Sequence, residues 1–150
     1  MMTTLPAAFS GGTPPLEGDL PRGIRNNNPG NIKYDGTPWQ GLGAPPSDGA
    51  FCRFIDAKHG IRAMAKLISN YGKKYGLKSI RQIISRWAPA NENDTESYVN
   101  AVSRELMRTP DEPLNLSNQN LLVLLCKSII RHENGKCPYS DEEIREGIEL

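Results

Sequence analysis

The chain has 150 residues, of which 37% are hydrophobic and 23% are charged, values typical of one soluble globular domain. The formal net charge of +1 gives no basic field, so we expect no nucleic-acid partner. No stretch is apolar for long enough to span a bilayer, which predicts no transmembrane segment. The N-terminus lacks the basic start and apolar run of a signal peptide, so we expect synthesis in the cytoplasm.

Cysteine and histidine are too few and too scattered for a disulfide framework or a metal centre. The three cysteines are Cys52, Cys126 and Cys137, an odd number at irregular spacing. His59 and His132 are the two histidines, and neither CxxC nor HExxH occurs. We therefore expect no metal site and no cofactor, and we interpret Cys126 as a small core residue.

The N-terminal third divides into a leader and a short β region. Residues 1–20 are rich in Pro, Gly, Ser, Thr and Ala, which predicts a flexible leader, with one domain over residues 21–150. Residues 34–54 show a short, broken pattern that favours one or two strands and a long loop. Asp35 and Gly36 form a hairpin-turn signal within this region.

Helices dominate the rest of the chain. Five apolar-periodic segments each follow a side chain able to cap a helix, namely Asp56, Ser79, Asp94 or Thr95, Ser117 and Ser140. The fourth segment, about residues 118–132, is the strongest, and Glu143 completes a capping box for the last helix. The sequence therefore predicts a mostly α (α+β) fold with a small β-hairpin region near the N-terminus.

An asparagine-rich segment is the most informative part of the chain. It runs from Arg22 to Tyr34, reads RGIRNNNPGNIKY, and carries Asn26, Asn27, Asn28 and Asn31 around a Pro-Gly pair. Asparagine is poor in helix and strand interiors and is costly to bury unless its amide is hydrogen-bonded. Such a loop suits a ligand covered in hydroxyl and acetamido groups, for which Asn27, Asn28 and Asn31 are the candidate contacts. The alternative is a structural turn whose amides satisfy their own backbone.

Glu133 is the leading candidate for a catalytic acid. It ends the strongest helix, with Ile129 and Ile130 on the same face. An apolar wall favours the protonated form of a carboxyl group, as proton donation to a leaving glycosidic oxygen requires. The alternative is a solvated helix end with Gly135 as its C-cap. Glu92, in a polar loop before a helix start, is the alternative acid.

Aromatic side chains supply candidate stacking surfaces for sugar rings. Tyr34, Trp39, Tyr98 and Tyr139 are assigned this role, and Trp39 is the strongest because glycines surround it. Trp87 shares a helix with three isoleucines, so we expect it in the core.

The strings RGIRNNNPGNIKY, WQG, FCRFIDAKHGIRAMAKLISNY and SRWAPANENDTESYV resemble a family of phage and prophage proteins. Its members are labelled virion structural protein or lysozyme-like muralytic protein, and the resemblance covers residues 22–150.

A second resemblance is to cell-wall glucosaminidases and other lysozyme-like enzymes. Their cleft-lining Asn-Asn-x-x-Gly-Ile-Lys, Trp-x-Gly and Phe-x-x-Phe/Tyr are similar here to Asn27, Asn28, Gly30, Ile32, Lys33, Trp39, Gly41, Phe51 and Phe54, with Asn31 inserted. In those enzymes the catalytic Glu precedes the Asn-Asn stretch. Here RHENGKCPYSDEEI resembles the helix end that carries the acid of phage-type lysozymes. Together the two matches imply a circularly permuted lysozyme-like domain.

These patterns predict a peptidoglycan-degrading enzyme, a muramidase or lytic transglycosylase, that cleaves the glycan strand with a Glu general acid. Hydrolysis would need a second carboxylate, for which Asp35, Asp48 and Glu92 are candidates, whereas transglycosylation can proceed with one acid. Action in the periplasm or cell wall would need a lysis system, a virion or a secretion machine, and an immunity partner is a further expectation. The alternative function is a non-enzymatic virion structural or cell-wall-binding protein.

Overall fold

The computed structural model describes residues 20–89 and 94–150. Within these ranges the chain forms α1 (Arg22–Arg25), β1 (Leu42–Ser47), β2 (Cys52–Phe54), α2 (Ala57–Tyr75), α3 (Ile80–Trp87), α4 (Thr95–Leu106), α5 (Gln119–Asn134) and α6 (Asp141–Glu149). The predicted mostly α fold with a small β region is confirmed. Residues 1–19, which make up nearly all of the predicted leader, lie outside the described residues.

The helix starts follow the predicted caps with one exception. The side chains of Asp56, Ser79, Asp94 and Ser140 each accept a hydrogen bond from a backbone amide three residues later. In α5 the cap is Asn118, whose side chain accepts from the amide of Leu121, rather than Ser117. The helix still begins at the predicted place within one residue.

The two strands pair antiparallel in one hairpin. Its turn contains Asp48 and Gly49, where the Asp48 carboxylate accepts from the amides of Ala50 and Phe51. The hairpin-turn signal at Asp35 was therefore placed wrongly, because that residue lies in a turn outside the named strands.

The core lies between α2 and α5, with α3, α4 and α6 packed around them. Gly147 lets α6 approach α2 closely, since a Cβ there would lie 2.8 Å from the Ile61 side chain. Cys126 is fully buried, as predicted. No helix in the described part is both long and apolar enough to span a membrane. This packing brings the C-terminal end of α5 against α1 and the loop that follows it.

Candidate functional site

Asn28 is a structural residue of the asparagine loop. Its side chain is completely buried. Its Nδ2 donates to the carbonyls of Ile32 and Cys52, both at 3.0 Å, and its Oδ1 accepts from the Ile32 amide at 3.0 Å. The amide is thus fully engaged in fixing the loop to β2, as the structural alternative for this segment requires.

Asn26 and Asn27 also fix the loop to the hairpin. The Nδ2 of Asn26 donates to Asp48 at 2.9 Å, and the Nδ2 of Asn27 donates to the Phe54 carbonyl at 3.2 Å. Asn27 adopts the left-handed conformation, with φ of 53°, which asparagine tolerates better than most residues. Asn27 therefore faces the hairpin, and three of the four asparagines build a rigid platform.

Asn31 faces Glu133 instead. Its Nδ2 donates to Glu133 Oε1 at 3.0 Å, across 102 positions of sequence. The hydroxyl of Tyr98 donates to the other carboxyl oxygen, Oε2, also at 3.0 Å. Glu133 is half-buried near the end of α5, and Gly135 caps that helix in the left-handed conformation with φ of 77°. The helix ends as the alternative interpretation expected, yet the carboxyl group is held in place by two donors.

Asn134, which lies outside the asparagine loop and was not predicted from the sequence, anchors the end of α5. The Nδ2 of Asn134 donates to the Pro29 carbonyl at 2.8 Å. Its Oδ1 and that of Asn31 are buried and face Gly23, where a Cβ would lie 2.6 and 2.8 Å from them. Gly23 thus leaves the space that lets both amides reach their partners.

Tyr98 lies beneath Glu133 and is only 1% exposed. Its ring stacks on His132 with centroids 3.7 Å apart. Burial, and then the neighbouring Glu133 carboxylate, raise the pKa of Tyr98 well above its usual value. The hydroxyl therefore stays protonated and donates to Glu133. A side chain so deeply buried positions the carboxyl group and offers no face for a sugar.

Glu133 lines the smaller of two adjoining cavities, which together we call the cleft. The smaller, about 110 Å³, is lined by Glu133 and by Gly30, Asn31, Lys33, Phe51, Trp87 and Ala88. The larger, about 410 Å³, shares Asn31, Lys33 and Trp87 and extends past Asp35, Trp39, Tyr71 and Arg86. Cavities of this size accommodate small ligands or a few units of a polymer. Asn31, Trp39 and Glu133, three of the site residues predicted from the sequence, thus lie in one cleft.

Aromatic side chains form much of the cleft wall. Trp87, which we expected in the core, is half-buried and lines both cavities. Its indole N–H donates to the Gly30 carbonyl at 3.0 Å, and its ring meets Tyr71 edge to face. Trp87 is the last residue of α3, and the helix buries its three isoleucines while the indole binds the loop at Gly30. The spacing of the three isoleucines and Trp87 shows that α3 has an apolar face. It does not show that the Trp87 ring lines a cavity.

The three candidates for a second carboxylate differ in where they lie relative to the cleft. Asp35 lines the larger cavity, and hydrogen bonds from the Thr37 hydroxyl and amide lower its pKa. Asp48 accepts from Arg22 at 2.6 Å, which holds its pKa far below the usual range and ties it to the platform. Glu92 lies outside the described residues. Asp35 is therefore the candidate that the structure places in the cleft.

Two predicted aromatic contacts, Tyr34 and Tyr139, are not among the residues that line the described cleft. Tyr34 is exposed at 38% beside the hairpin, where its amide donates to the Ala50 carbonyl. Tyr139 is half-buried and packs against the core, and burial raises its pKa to about 12. Within residues 20–89 and 94–150, no three side chains of metal-binding types lie together.

The arrangement as a whole places one oriented carboxyl group at the end of an aromatic cleft. Comparison with known proteins finds a relative of this chain in a bacteriophage. Protein P5 of Pseudoalteromonas phage PM2 is 42% identical over 131 residues, which cover 85% of this chain and 80% of that protein. No family model matches the chain.

Proposed function

This chain belongs to the family of Protein P5 of phage PM2, and we propose that it degrades peptidoglycan by cleaving the glycan strand, with Glu133 as general acid. The observation that carries the proposal is the double hydrogen bond from Asn31 and Tyr98 to Glu133 at the end of the cleft. General acid catalysis requires a carboxyl group held within reach of the leaving oxygen, and these two donors fix its orientation.

The hydrogen bonds leave room for a transferable proton. Each carboxyl oxygen of Glu133 accepts one hydrogen bond and keeps a second lone-pair direction. A proton on either oxygen can therefore be delivered to a glycosidic oxygen without breaking the contact to Asn31 or Tyr98. Trp39 and Trp87 offer apolar surface in the same cleft for the faces of the sugar rings.

Asp35 would be the second carboxylate in a hydrolytic reaction. Its lowered pKa keeps it ionised at neutral pH, as a base or nucleophile must be. In a lytic transglycosylase the substrate's own hydroxyl would take that role, and Asp35 would be dispensable. The chain order also supports a permuted lysozyme-like domain, because the N-terminal loop and hairpin meet a carboxyl group from a helix late in the chain.

The test is the change Glu133→Gln. The glutamine Oε1 can still accept from Asn31, and its Nε2 can donate to the Tyr98 hydroxyl, which also accepts hydrogen bonds. The variant should therefore fold and bind peptidoglycan while its rate of muropeptide release falls about 100-fold or more, because it cannot deliver a proton. Mass spectrometry of the products, with anhydro ends marking transglycosylation, separates the two reactions.

Glu142→Gln is the matched control, since Glu142 is exposed in the first turn of α6. It should lyse outer-membrane-permeabilised cells at the wild-type rate. An active Glu133→Gln variant would refute the assignment of the acid.

The second candidate is a non-enzymatic virion structural or cell-wall-binding protein. It is favoured by one observation, that Glu133 joins three distant segments as a structural carboxylate would. Wild-type protein that binds peptidoglycan but releases no muropeptides would establish this function.

A further inference from the structure

We propose that Arg86 binds a carboxylate carried by the glycan, so that the cleft selects strands containing muramic acid over neutral polymers of N-acetylglucosamine. This inference rests on the proposed function. Arg86 was not among the candidate site residues predicted from the sequence.

Arg86 is held in the cleft by aromatic side chains. Its guanidinium lies over the rings of Tyr71 at 5.7 Å and Tyr75 at 5.2 Å, and the residue lines the larger cavity. It forms no ion pair with any residue that the structure describes. Arg81, five residues earlier on the same helix, instead pairs with Glu96 and Asp111. The charge of Arg86 is therefore fixed in place and available to a ligand.

The chemistry of a guanidinium held over aromatic rings suits a carboxylate. The two tyrosine rings attract its charge, while its N–H donors can form paired hydrogen bonds to two carboxylate oxygens. Peptidoglycan carries such groups on the stem peptide and, once that peptide is removed, on the lactyl ether of muramic acid. A neutral N-acetylglucosamine polymer carries neither.

Arg86 should affect binding more than bond cleavage. It lines the larger cavity but not the smaller one that contains Glu133. Its carboxylate ligand would therefore belong to a sugar beside the cleaved linkage. Because Arg86 is exposed, we expect a gain of about fivefold in affinity, at the upper end for a solvent-accessible ion pair, which should decline at high salt.

The experiment measures dissociation constants by calorimetry in the Glu133→Gln background, where we expect turnover about 100-fold or more slower than in the wild type. The probes are three tetrasaccharides: alternating N-acetylglucosamine and muramic acid with free lactyl groups, the same sugar with stem peptides, and chitotetraose. At least one muramic acid probe should bind about fivefold more tightly than chitotetraose. A preference for the free lactyl form identifies the lactyl carboxylate, and a preference for the peptide form identifies the stem.

Adding Arg86→Gln should abolish the preference, whereas Arg86→Lys should keep part of it. Arg104→Gln, which removes an exposed charge on α4, should leave it unchanged. Equal affinities of the three probes with Arg86 present, or a preference that survives Arg86→Gln, would overturn the inference. Wild-type muropeptide release separates the two proposals: cleavage with equal affinities refutes only the role of Arg86, and preference without cleavage refutes only catalysis.

Discussion

Replacing Tyr98 with phenylalanine isolates the positioning of Glu133 from every other property of the cleft. The phenylalanine ring can keep the buried packing and the stack on His132, so only the hydroxyl is lost. Because the pKa of Tyr98 lies well above its usual value, that hydroxyl is a donor throughout the neutral range. The variant therefore removes one hydrogen bond to Glu133 and leaves the link to Asn31.

The magnitude follows from the environment of the carboxyl group. As Glu133 gives up its proton it becomes a carboxylate, and a hydrogen bond to a charged group contributes about 1.5–3 kcal/mol. Water can replace part of this contribution because Glu133 is only half-buried. We take the lower end, about 1.5 kcal/mol, which corresponds to roughly a tenfold loss of rate. The free energy of unfolding should fall by about 1 kcal/mol, since no buried donor is left unpaired.

The assay is kcat and KM for muropeptide release, together with the melting temperature. Tyr98 is too deeply buried to touch substrate, so the loss should appear in kcat while KM stays unchanged. Tyr139→Phe, which removes a hydroxyl from a half-buried tyrosine outside the described cleft lining, should change neither constant. A raised KM with unchanged kcat would mean that Tyr98 contacts substrate and would refute this reasoning.

Two further changes test the platform beneath the cleft. Gly23→Ala places a Cβ 2.8 Å from the Asn31 side-chain oxygen. Thermal melts should show that the free energy of unfolding falls by about 1–3 kcal/mol. Kinetic assays should show that activity falls by a larger fraction than stability does. Gly43→Ala, whose Cβ would meet nothing nearer than 3.4 Å, should cost less, and equal effects would contradict this. Asp48→Asn should reduce acid sensitivity: Arg22 lowers the pKa of Asp48, so its stabilisation is present above about pH 4 and lost as the pH falls further. Melting temperatures that drop equally between pH 7 and pH 3 in both proteins would exclude this role.

The helices were predictable because their signals are local. Asp56, Ser79 and Ser140 each lie within three residues of the amides that they cap, so a short stretch of sequence contains the whole interaction. The position of the hairpin turn was not predictable, since Asp35-Gly36 and Asp48-Gly49 are both Asp-Gly pairs that favour a tight turn. Strand pairing decides between them: Leu42 pairs with Phe54 and Ser47 with Cys52, which places the second turn between the strands.

The site was only partly predictable for the same reason. Asn28 and Asn31 are alike in sequence, yet one is buried in its own loop and the other meets a carboxylate 102 positions away. No local pattern distinguishes them. Arg86 was missed because its partners are rings on α2, and the helical period alone shows neither those contacts nor the cavity beside them.

The wide separation in sequence of the groups around Glu133 has a consequence for biosynthesis. Asn31 precedes Glu133 by 102 positions and Tyr98 precedes it by 35, so both contacts close long loops of chain. Such contacts form late in folding, because the entropy of loop closure opposes them until other packing is in place. A ribosome-bound chain that lacks α5 has the asparagine platform but no carboxyl group for Asn31 to bind. Translation must therefore extend past Glu133 before this set of contacts can assemble.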